Sequence, residues 1–165
     1  VATGAVSGYN SSVVYITIYV VMNIGAFSCL YLMKKDGEYK ENILDLSGIS
    51  KKHPILAISL LIILFSLAGI PPLGGFFAKF YVFSAVLEQK MYALAIIGLL
   101  TTVISAFYYL RVIKIIYFDE SILSFDASKN KVAKATIFLS CGILITFFLY
   151  PSLLNNVVSS LFVIN

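Results

Sequence analysis

Long stretches without a charged side chain are the feature that most constrains this 165-residue sequence. No Asp, Glu, Lys or Arg occurs within residues 1–33, 54–78, 91–110 or 135–165. A bilayer core about 30 Å thick needs about 20 apolar helical residues, and each stretch can supply them. Charged residues make up 12% of the chain, against about 25% in soluble domains. This composition excludes a soluble monomer and a disordered chain, and predicts an all-α, polytopic transmembrane bundle with four passes.

The four predicted spans form a single membrane domain with two polar connections. The connections cover 34–54 and 118–133. Within the first, Lys34-Lys35-Asp36-Gly37 is typical of a helix end, and 41–48 could form a short surface helix that dips Ile43, Leu44 and Leu46 into the interface. The tail 152–165 is expected to lie in the interface or to extend the last pass. The spans run over 12–33, 55–88, 92–117 and 134–150.

The distribution of cations predicts which segments share one side of the membrane. Ten Lys and Arg residues fall near the ends of the first and third spans or in the two connections that follow them, whereas the opposite side has Lys90 alone. The positive-inside rule then places both connections on the inner side.

The second span contains a predicted helix break. Residues 55–87 carry one charge and would measure about 50 Å as one helix at 1.5 Å per residue, which is too long for one straight pass. In the middle stands the run Gly69-Ile70-Pro71-Pro72-Leu73-Gly74-Gly75. Prolines remove backbone donors, and glycines permit unusual backbone angles. We therefore expect half-helices over 55–70 and 76–88. Unwound backbone at this depth requires protein or a watery cavity around it.

Lys79 is the candidate catalytic residue, because it lies in the apolar run just after this break. An ammonium inside a bilayer costs about 2.5–3.5 kcal/mol on insertion scales. It must therefore reach an interface, find a partner or lose its proton. The simpler explanation is snorkelling, in which the side chain extends its ammonium group to the membrane interface. Lys79 nevertheless lies nine residues before Glu88, roughly 13 Å by helical rise, and broken helices recur at ion sites in transporters. Ion or proton handling is the favoured interpretation.

Two polar stripes could extend a proton path from Lys79. One face of the first span carries Tyr15, Tyr19 and Asn23, and one face of the third carries Thr101, Ser105 and Tyr108. The functional reading is a hydrated relay of hydroxyl groups. The structural interpretation is hydrogen bonding between helices, which contributes about 0.6 kcal/mol per contact in membranes. For each stripe taken alone, this structural interpretation is favoured.

Other chemistry is not indicated by the sequence. Cys29 and Cys141 each stand alone in an apolar stretch, which favours small buried hydrophobic residues over a disulfide or metal site. One histidine, His53, and no Cys/His cluster leave no first shell for zinc, haem or an iron–sulfur cluster. No phosphate-binding or nucleic-acid motif occurs. His53-Pro54 is expected to cap the second span, and Glu88 and Lys90 to lie at the interface.

The run from Phe65 to Tyr81, FSLAGIPPLGGFFAKFY, closely resembles the antiporter-like subunits of respiratory complex I. It is most similar to subunit 2, the N-type subunit. The segments NIGAF at 23–27, HPILA at 53–57 and FYYLR at 107–111 agree with this resemblance, which extends from about residue 13 to 151. It implies that the break is the discontinuous twelfth helix and that Lys79 is a proton-transfer residue on the central axis of the subunit.

The resemblance also carries expectations about assembly. Family members usually have about fourteen helices, so four correspond to the C-terminal part of a split or truncated chain. A further chain would supply the missing helices, and other complex I membrane subunits and the lipid bilayer would be partners. No cofactor is expected on this chain, since FMN, iron–sulfur clusters and quinone would bind elsewhere in the complex. The implied location is the mitochondrial inner membrane, with 34–54 and 118–133 facing the matrix, or alternatively a bacterial inner membrane.

Two alternatives remain at this point. One is another subunit of the antiporter superfamily, either like complex I subunit 4 or 5 or from a cation/proton antiporter. A subunit 4 homologue is expected to carry Glu in place of Lys79. The other is a purely structural membrane anchor, which would need neither a buried lysine nor a broken helix.

Overall fold

The computed structural model describes residue 4 and residues 6–121, 124–126 and 130–149, with the side chains of 6, 7, 148 and 149 left out. Six α-helices, one 3₁₀ helix and a two-stranded hairpin account for most of this part of the chain. In chain order they are α1 (Val6–Tyr31), β1 (Lys34–Lys35), β2 (Glu38–Tyr39), the 3₁₀ helix (Ile43–Leu46), α2 (Ile49–Lys52), α3 (Pro54–Ala68), α4 (Gly74–Glu88), α5 (Tyr92–Phe118) and α6 (Lys131–Leu149).

Helices α3 and α4 lie in series along the continuous helix α1. The 26 residues of α1 measure about 39 Å at 1.5 Å per residue. Near its C-terminal end, Gly25 approaches Ile63 of α3 so closely that an added Cβ would lie 3.0 Å from Cδ1. Near its N-terminal end, Gly8 and Ser12 share a cavity with Val86 of α4. The two half-helices together therefore match the length of one pass.

This arrangement confirms the predicted fold class, an all-α bundle with one helix interrupted in the 69–75 segment. By length and composition, residues Gly8–Tyr31 and Tyr92–Phe118 are suited to cross a membrane, and Pro54–Ala68 is a shorter apolar helix. The expected half-helices left residues 71–75 outside a helix, whereas the structure leaves residues 69–73 outside, because α3 ends at Ala68 and α4 begins at Gly74.

The core lies where α1, α3, α4 and α6 meet. Ile18 of α1, Ile63 of α3, Ala78 of α4 and Leu144 of α6 are each 0% exposed. Phe147 of α6 contacts the ring of Phe77 edge-on, with 6.1 Å between ring centroids. Helix α5 contributes less, and packs mainly through its two ends. A Cβ added at Gly74, just after the break, would lie 3.4 Å from Phe147, so α6 packs against this part of the second span.

The first connection differs from the expectation of a helix end at Lys34-Lys35-Asp36-Gly37. Helix α1 ends at Tyr31, and residues 34–39 form an antiparallel hairpin. Asp36 and Gly37 occupy its turn with φ of 55° and 82°, the angles that Asp-Gly favours in two-residue hairpins. The expected surface helix over 41–48 is a 3₁₀ helix over Ile43–Leu46, capped by Asn42.

The second connection is fastened to the first. The N–H of Asp126 donates to the carbonyl of Lys34 at 2.8 Å, and the N–H of Phe125 donates to Nε2 of His53 at 2.9 Å. His53 therefore holds the neighbouring segment, and its side chain makes no capping bond to α3. The predicted end of the last span at 150–151 and the tail 152–165 fall outside the described residues.

Candidate functional site

The C-terminal end of α3 is closed by a glycine. Gly69 adopts φ +80° and ψ 33°, a left-handed conformation that costs a glycine little. Its N–H donates to the carbonyl of Ser66, and the N–H of Ile70 donates to the carbonyl of Phe65, both at 3.0 Å. This pair of bonds is a Schellman motif. It turns the chain into Pro71-Pro72 and leaves the carbonyl of Leu67 free to accept from elsewhere.

The N-terminal end of α4 fits against the last turn of α3. The N–H of Gly75 donates to Oγ of Ser66 at 2.9 Å, in a fully buried contact. A Cβ added at Gly75 would lie 1.9 Å from the carbonyl oxygen of Ser66. Glycine is therefore required at this position by the close approach of two backbones. The hydroxyl of Ser66 satisfies one of the donors that every helix N-terminus leaves open.

The side chain of Lys79 makes a second link between the two half-helices, from α4 to the C-terminal end of α3. Helical side chains tilt toward the helix N-terminus, so Lys79 reaches back to α3, and its Nζ donates to the carbonyl of Leu67 at 2.9 Å. A cation at a helix C-terminus is also favoured by the helix dipole. Ser66 of α3 thus caps α4, and Lys79 of α4 caps α3. We call this arrangement the reciprocal cap.

Lys79 borders two cavities, which we call the first and the second cavity. The first, about 360 Å³, extends from Lys79 toward Gly8 and Ser12 at the start of α1. The second, about 220 Å³, extends the other way, toward Met22 of α1 and Tyr109 of α5. Lys79 lies between the two cavities, because it lines both of them. Three further side chains also line both: Tyr15, Thr101 and Thr102.

The hydroxyl groups of α5 are held by their own helix. Thr101 and Thr102 donate to the carbonyl of Gly98 at 2.8 and 2.9 Å, and Ser105 donates to the carbonyl of Thr101 at 3.0 Å. Because each hydrogen is engaged, these hydroxyl oxygens present lone pairs to the second cavity. Such a wall accepts hydrogen bonds from water or from an ammonium group.

The structure brings four of the six predicted relay residues to Lys79: Tyr15, Tyr19, Thr101 and Ser105. Asn23 lies about one turn beyond Tyr19 along α1 and lines neither cavity, and its Nδ2 donates to the carbonyl of Tyr19 at 2.7 Å. Tyr108 is 61% exposed and packs edge-on against Phe107. Helix α5 directs Gly98, Thr102 and Tyr109 inward. At about 100° per residue, Tyr108 then lies well to one side of that direction.

Three residues of the site were not among the sequence-predicted ones: Ser66, Thr102 and Tyr109. Ser66 is 0% exposed, yet nothing in an apolar run distinguishes it from a serine bonded to its own helix. The polar stripe correctly predicted that α5 lines the site. Which of its side chains point toward Lys79 depends on how α5 packs against α4. Cys29 and Cys141 are buried free thiols, as expected, and the described residues contain no group of three metal-binding side chains.

Comparison with known proteins places these features in a family. Residues 1–105 match the family described as NADH:quinone oxidoreductase/Mrp antiporter, TM. The NADH-quinone oxidoreductase subunit N of Pelagibacter ubique is 55% identical over 163 residues, 99% of this chain and 35% of that protein. The protein of the same name from Rhodospirillum rubrum is 43% identical over 152 residues, 92% of this chain and 31% of that protein. The chain thus spans about a third of the length of these curated relatives.

A solved structure shares the fold. A chain in the structure of respiratory complex I from Thermus thermophilus with bound aureothin superimposes with a TM-score of 0.76. The match covers 87% of this chain and 33% of that chain, at 24% sequence identity. Like the sequence relatives, the solved chain extends well beyond the part that this sequence represents.

Proposed function

This chain belongs to the NADH:quinone oxidoreductase/Mrp antiporter family of transmembrane proteins, and on that premise we propose that it supplies the C-terminal helices of a proton-translocating subunit of NADH:quinone oxidoreductase. The observation that carries this proposal is the position of Lys79. Its ammonium sits at a helix break, on a backbone carbonyl, between two cavities with hydroxyl-bearing walls. The sequence relatives named above support the choice of complex.

In this function Lys79 holds a proton and then passes it on. The ammonium gives one proton to water or a hydroxyl oxygen in one cavity and becomes a neutral amine. The amine then takes up a proton from the other cavity. The carbonyl of Leu67 fixes Nζ between the two cavities in both steps. Tyr15, Thr101 and Thr102 line both cavities, so we assign them a role in holding water beside Nζ.

The alternatives are weighed on the same residues. A different antiporter-superfamily subunit would share the broken helix, but the named relatives favour the N-type subunit. A structural anchor would give no reason for a lysine inside the apolar run of α4. No redox chemistry is assigned to this chain. In this proposal it acts as a proton-translocating subunit, and FMN, iron–sulfur clusters and quinone bind to other parts of the complex.

Partner chains are expected because helix α5 is largely uncovered. Its apolar side chains Ile97, Val103 and Phe107 are 60%, 67% and 66% exposed, and Thr101, which lines both cavities at Lys79, is exposed as well. A polar side chain that faces lipid is unfavourable. We propose that the helices preceding α1 in the family, on the same or another chain, cover part of α5, together with further membrane subunits of the complex.

Co-purification tests this assignment. We expect a tagged form of this chain, extracted in mild detergent, to co-purify with NADH:quinone oxidoreductase membrane subunits and with the missing helices. Removing the chain is expected to abolish proton pumping by the purified complex in proteoliposomes. Mass spectrometry of the purified material and a pH-sensitive dye in the vesicles provide the two measurements. Recovery of the chain as a stable monomer that transports protons would contradict the proposal.

The proposed location is an inner membrane. The named relatives come from bacteria, which supports the bacterial alternative over the mitochondrial one. The two polar connections are bonded to each other through Asp126 and Lys34, in agreement with a common side. The cation count further assigns them to the inner side, the cytoplasm or the matrix.

Labelling of introduced cysteines tests the topology. With Cys29 and Cys141 replaced by alanine, Lys51→Cys and Ser124→Cys are expected to react with a membrane-impermeant thiol reagent from the inner side only. Lys90→Cys, in the turn between α4 and α5, is expected to react from the opposite side only. Labelling of positions 51 and 124 from different sides would show that either the second span or α5 is not a single pass, and the side that labels position 90 would show which.

A further inference from the structure

A cavity of about 350 Å³ opens on the side of the polar connections, away from Lys79. It lies between the start of α3 and the start of α6 and shares no lining residue with the two cavities at Lys79. Its rim is formed by Lys52, His53, Asp126 and Lys134, and its apolar wall includes Leu32, Ile55, Leu56, Ile137 and Phe138. The rim is polar and the wall is apolar, and residues 52–56 and 134–138 contribute to both.

The rim carries a surplus of positive charge. Lys52 and Lys134 are both exposed. Within the described residues the one ion pair is Lys40–Glu38, so no described carboxylate lies within 4 Å of either rim lysine. The Asp126 carboxylate accepts from the N–H of Gly37 at 3.3 Å. Nε2 of His53 accepts from the N–H of Phe125 at 2.9 Å, which holds the ring in place at the rim.

The apolar wall continues from this rim along the helices that enter the membrane. Ile55 on α3 and Phe138 on α6 are 66% and 60% exposed, although both line the cavity. Lys52 lies three residues before Ile55, and Lys134 lies four residues before Phe138. At the junction of α2 with α3 and at the start of α6, a cation is therefore followed three or four residues later by a large exposed apolar side chain.

We propose that this cavity binds an anionic phospholipid. Its phosphate group lies between the ammonium groups of Lys52 and Lys134, and an acyl chain runs along Ile55 and Phe138. Charge complementarity supplies the first contact, and burial of apolar surface supplies the second. A soluble anion would use only the rim and would leave the apolar wall uncovered. The site is separate from Lys79, so this proposal does not rest on proton transfer.

Photolabelling of the purified complex, reconstituted in nanodiscs, tests the site. The probe is a phosphatidylglycerol with a diazirine on its acyl chain, and the crosslinked peptides are identified by mass spectrometry. We expect labelling on the peptides that contain Ile55 and Phe138. The variant Lys52→Gln/Lys134→Gln is expected to lose this labelling by about tenfold. The matched control Lys51→Gln/Lys131→Gln removes the same charge from neighbouring exposed lysines that do not line the cavity, and is expected to stay within about twofold.

Competition separates the possible ligands. Unlabelled phosphatidylglycerol is expected to suppress the labelling, whereas phosphatidylcholine and inorganic phosphate are expected to leave it unchanged. Equal labelling of the two double variants would overturn the proposal, and so would equal competition by phosphatidylcholine. Suppression by inorganic phosphate would assign the rim to a soluble anion instead. Absence of a lipid adduct on both peptides would also overturn the proposal and would leave the cavity to a neighbouring subunit. Proton pumping measured on the same preparations keeps this result separate from the role of Lys79.

Discussion

A complex that carries Lys79→Met is expected to assemble and to lose most of its proton pumping. Methionine keeps the length and the apolar packing of the side chain but has no proton to hold. A positioned proton donor typically contributes at least about 100-fold to a transfer step. Other steps also limit turnover, so we expect pumping to fall by about tenfold or more, with coupled quinone reduction impaired. Dye quenching in proteoliposomes and quinone reductase assays measure the two effects.

Lys79→Arg separates proton transfer from the other roles of this residue. Arginine keeps a cation and its hydrogen-bond donors, so it can still cap the carbonyl of Leu67, but a guanidinium does not release its proton. We expect this variant to assemble and to pump as poorly as Lys79→Met. The control is Lys114→Met, which removes an exposed lysine from the end of α5 and is expected to pump normally. Normal pumping by Lys79→Arg would mean that a fixed charge is sufficient, and the proton-transfer role would be wrong.

The second large effect is expected from Gly75→Ala, which acts on the reciprocal cap without touching Lys79. The new Cβ would lie 1.9 Å from the carbonyl oxygen of Ser66 and 2.7 Å from its carbonyl carbon. Backbone atoms cannot turn aside as a side chain can, so α4 must move away from α3. Overpacking of a core typically costs about 1–3 kcal/mol, and we expect the upper end. Native electrophoresis is expected to show little assembled complex. Thermal unfolding of the complex that remains is expected to show a lower melting temperature.

The neighbouring glycine provides the matched control. A Cβ added at Gly74 would lie 3.4 Å from Phe147, an ordinary van der Waals distance, so Gly74→Ala is expected to assemble almost normally. Ser66→Ala removes only the hydroxyl that caps α4 and is expected to have an intermediate effect, at about 1 kcal/mol for one hydrogen bond. Similar assembly of the Gly74 and Gly75 variants would show that the two half-helices do not approach as closely as described.

The helices and their interruption could be predicted because they depend on simple local properties. A stretch of 20 or more residues without charge is long enough to span a bilayer, and Pro71-Pro72 cannot continue a helix. Lys79 could be identified because a lysine in such a stretch demands an explanation. The hairpin over 34–39 was also within reach of the sequence, since Asp36-Gly37 is a strong two-residue turn signal.

The details of the site depend on packing between segments and could not be predicted from local properties. Ser66 and Gly75 stand nine residues apart, and only the overlap of α3 and α4 brings the hydroxyl to the N–H. Thr102 and Tyr109, in place of Tyr108, line the second cavity because contacts with α4 set the rotation of α5. One such contact is Phe83 against Gly98, where an added Cβ would lie 2.8 Å from Cε1.

The reciprocal cap makes the connection between α3 and α4 a fixed length. Residues 69–73 must deliver Gly75 opposite Ser66 and, one turn later, Lys79 opposite Leu67. One inserted residue would rotate α4 by about 100° and turn both partners away from α3. Surface loops normally tolerate insertions and deletions, whereas this five-residue segment acts as a spacer between two matched ends. Its length is therefore under tighter constraint than the identity of several of its residues.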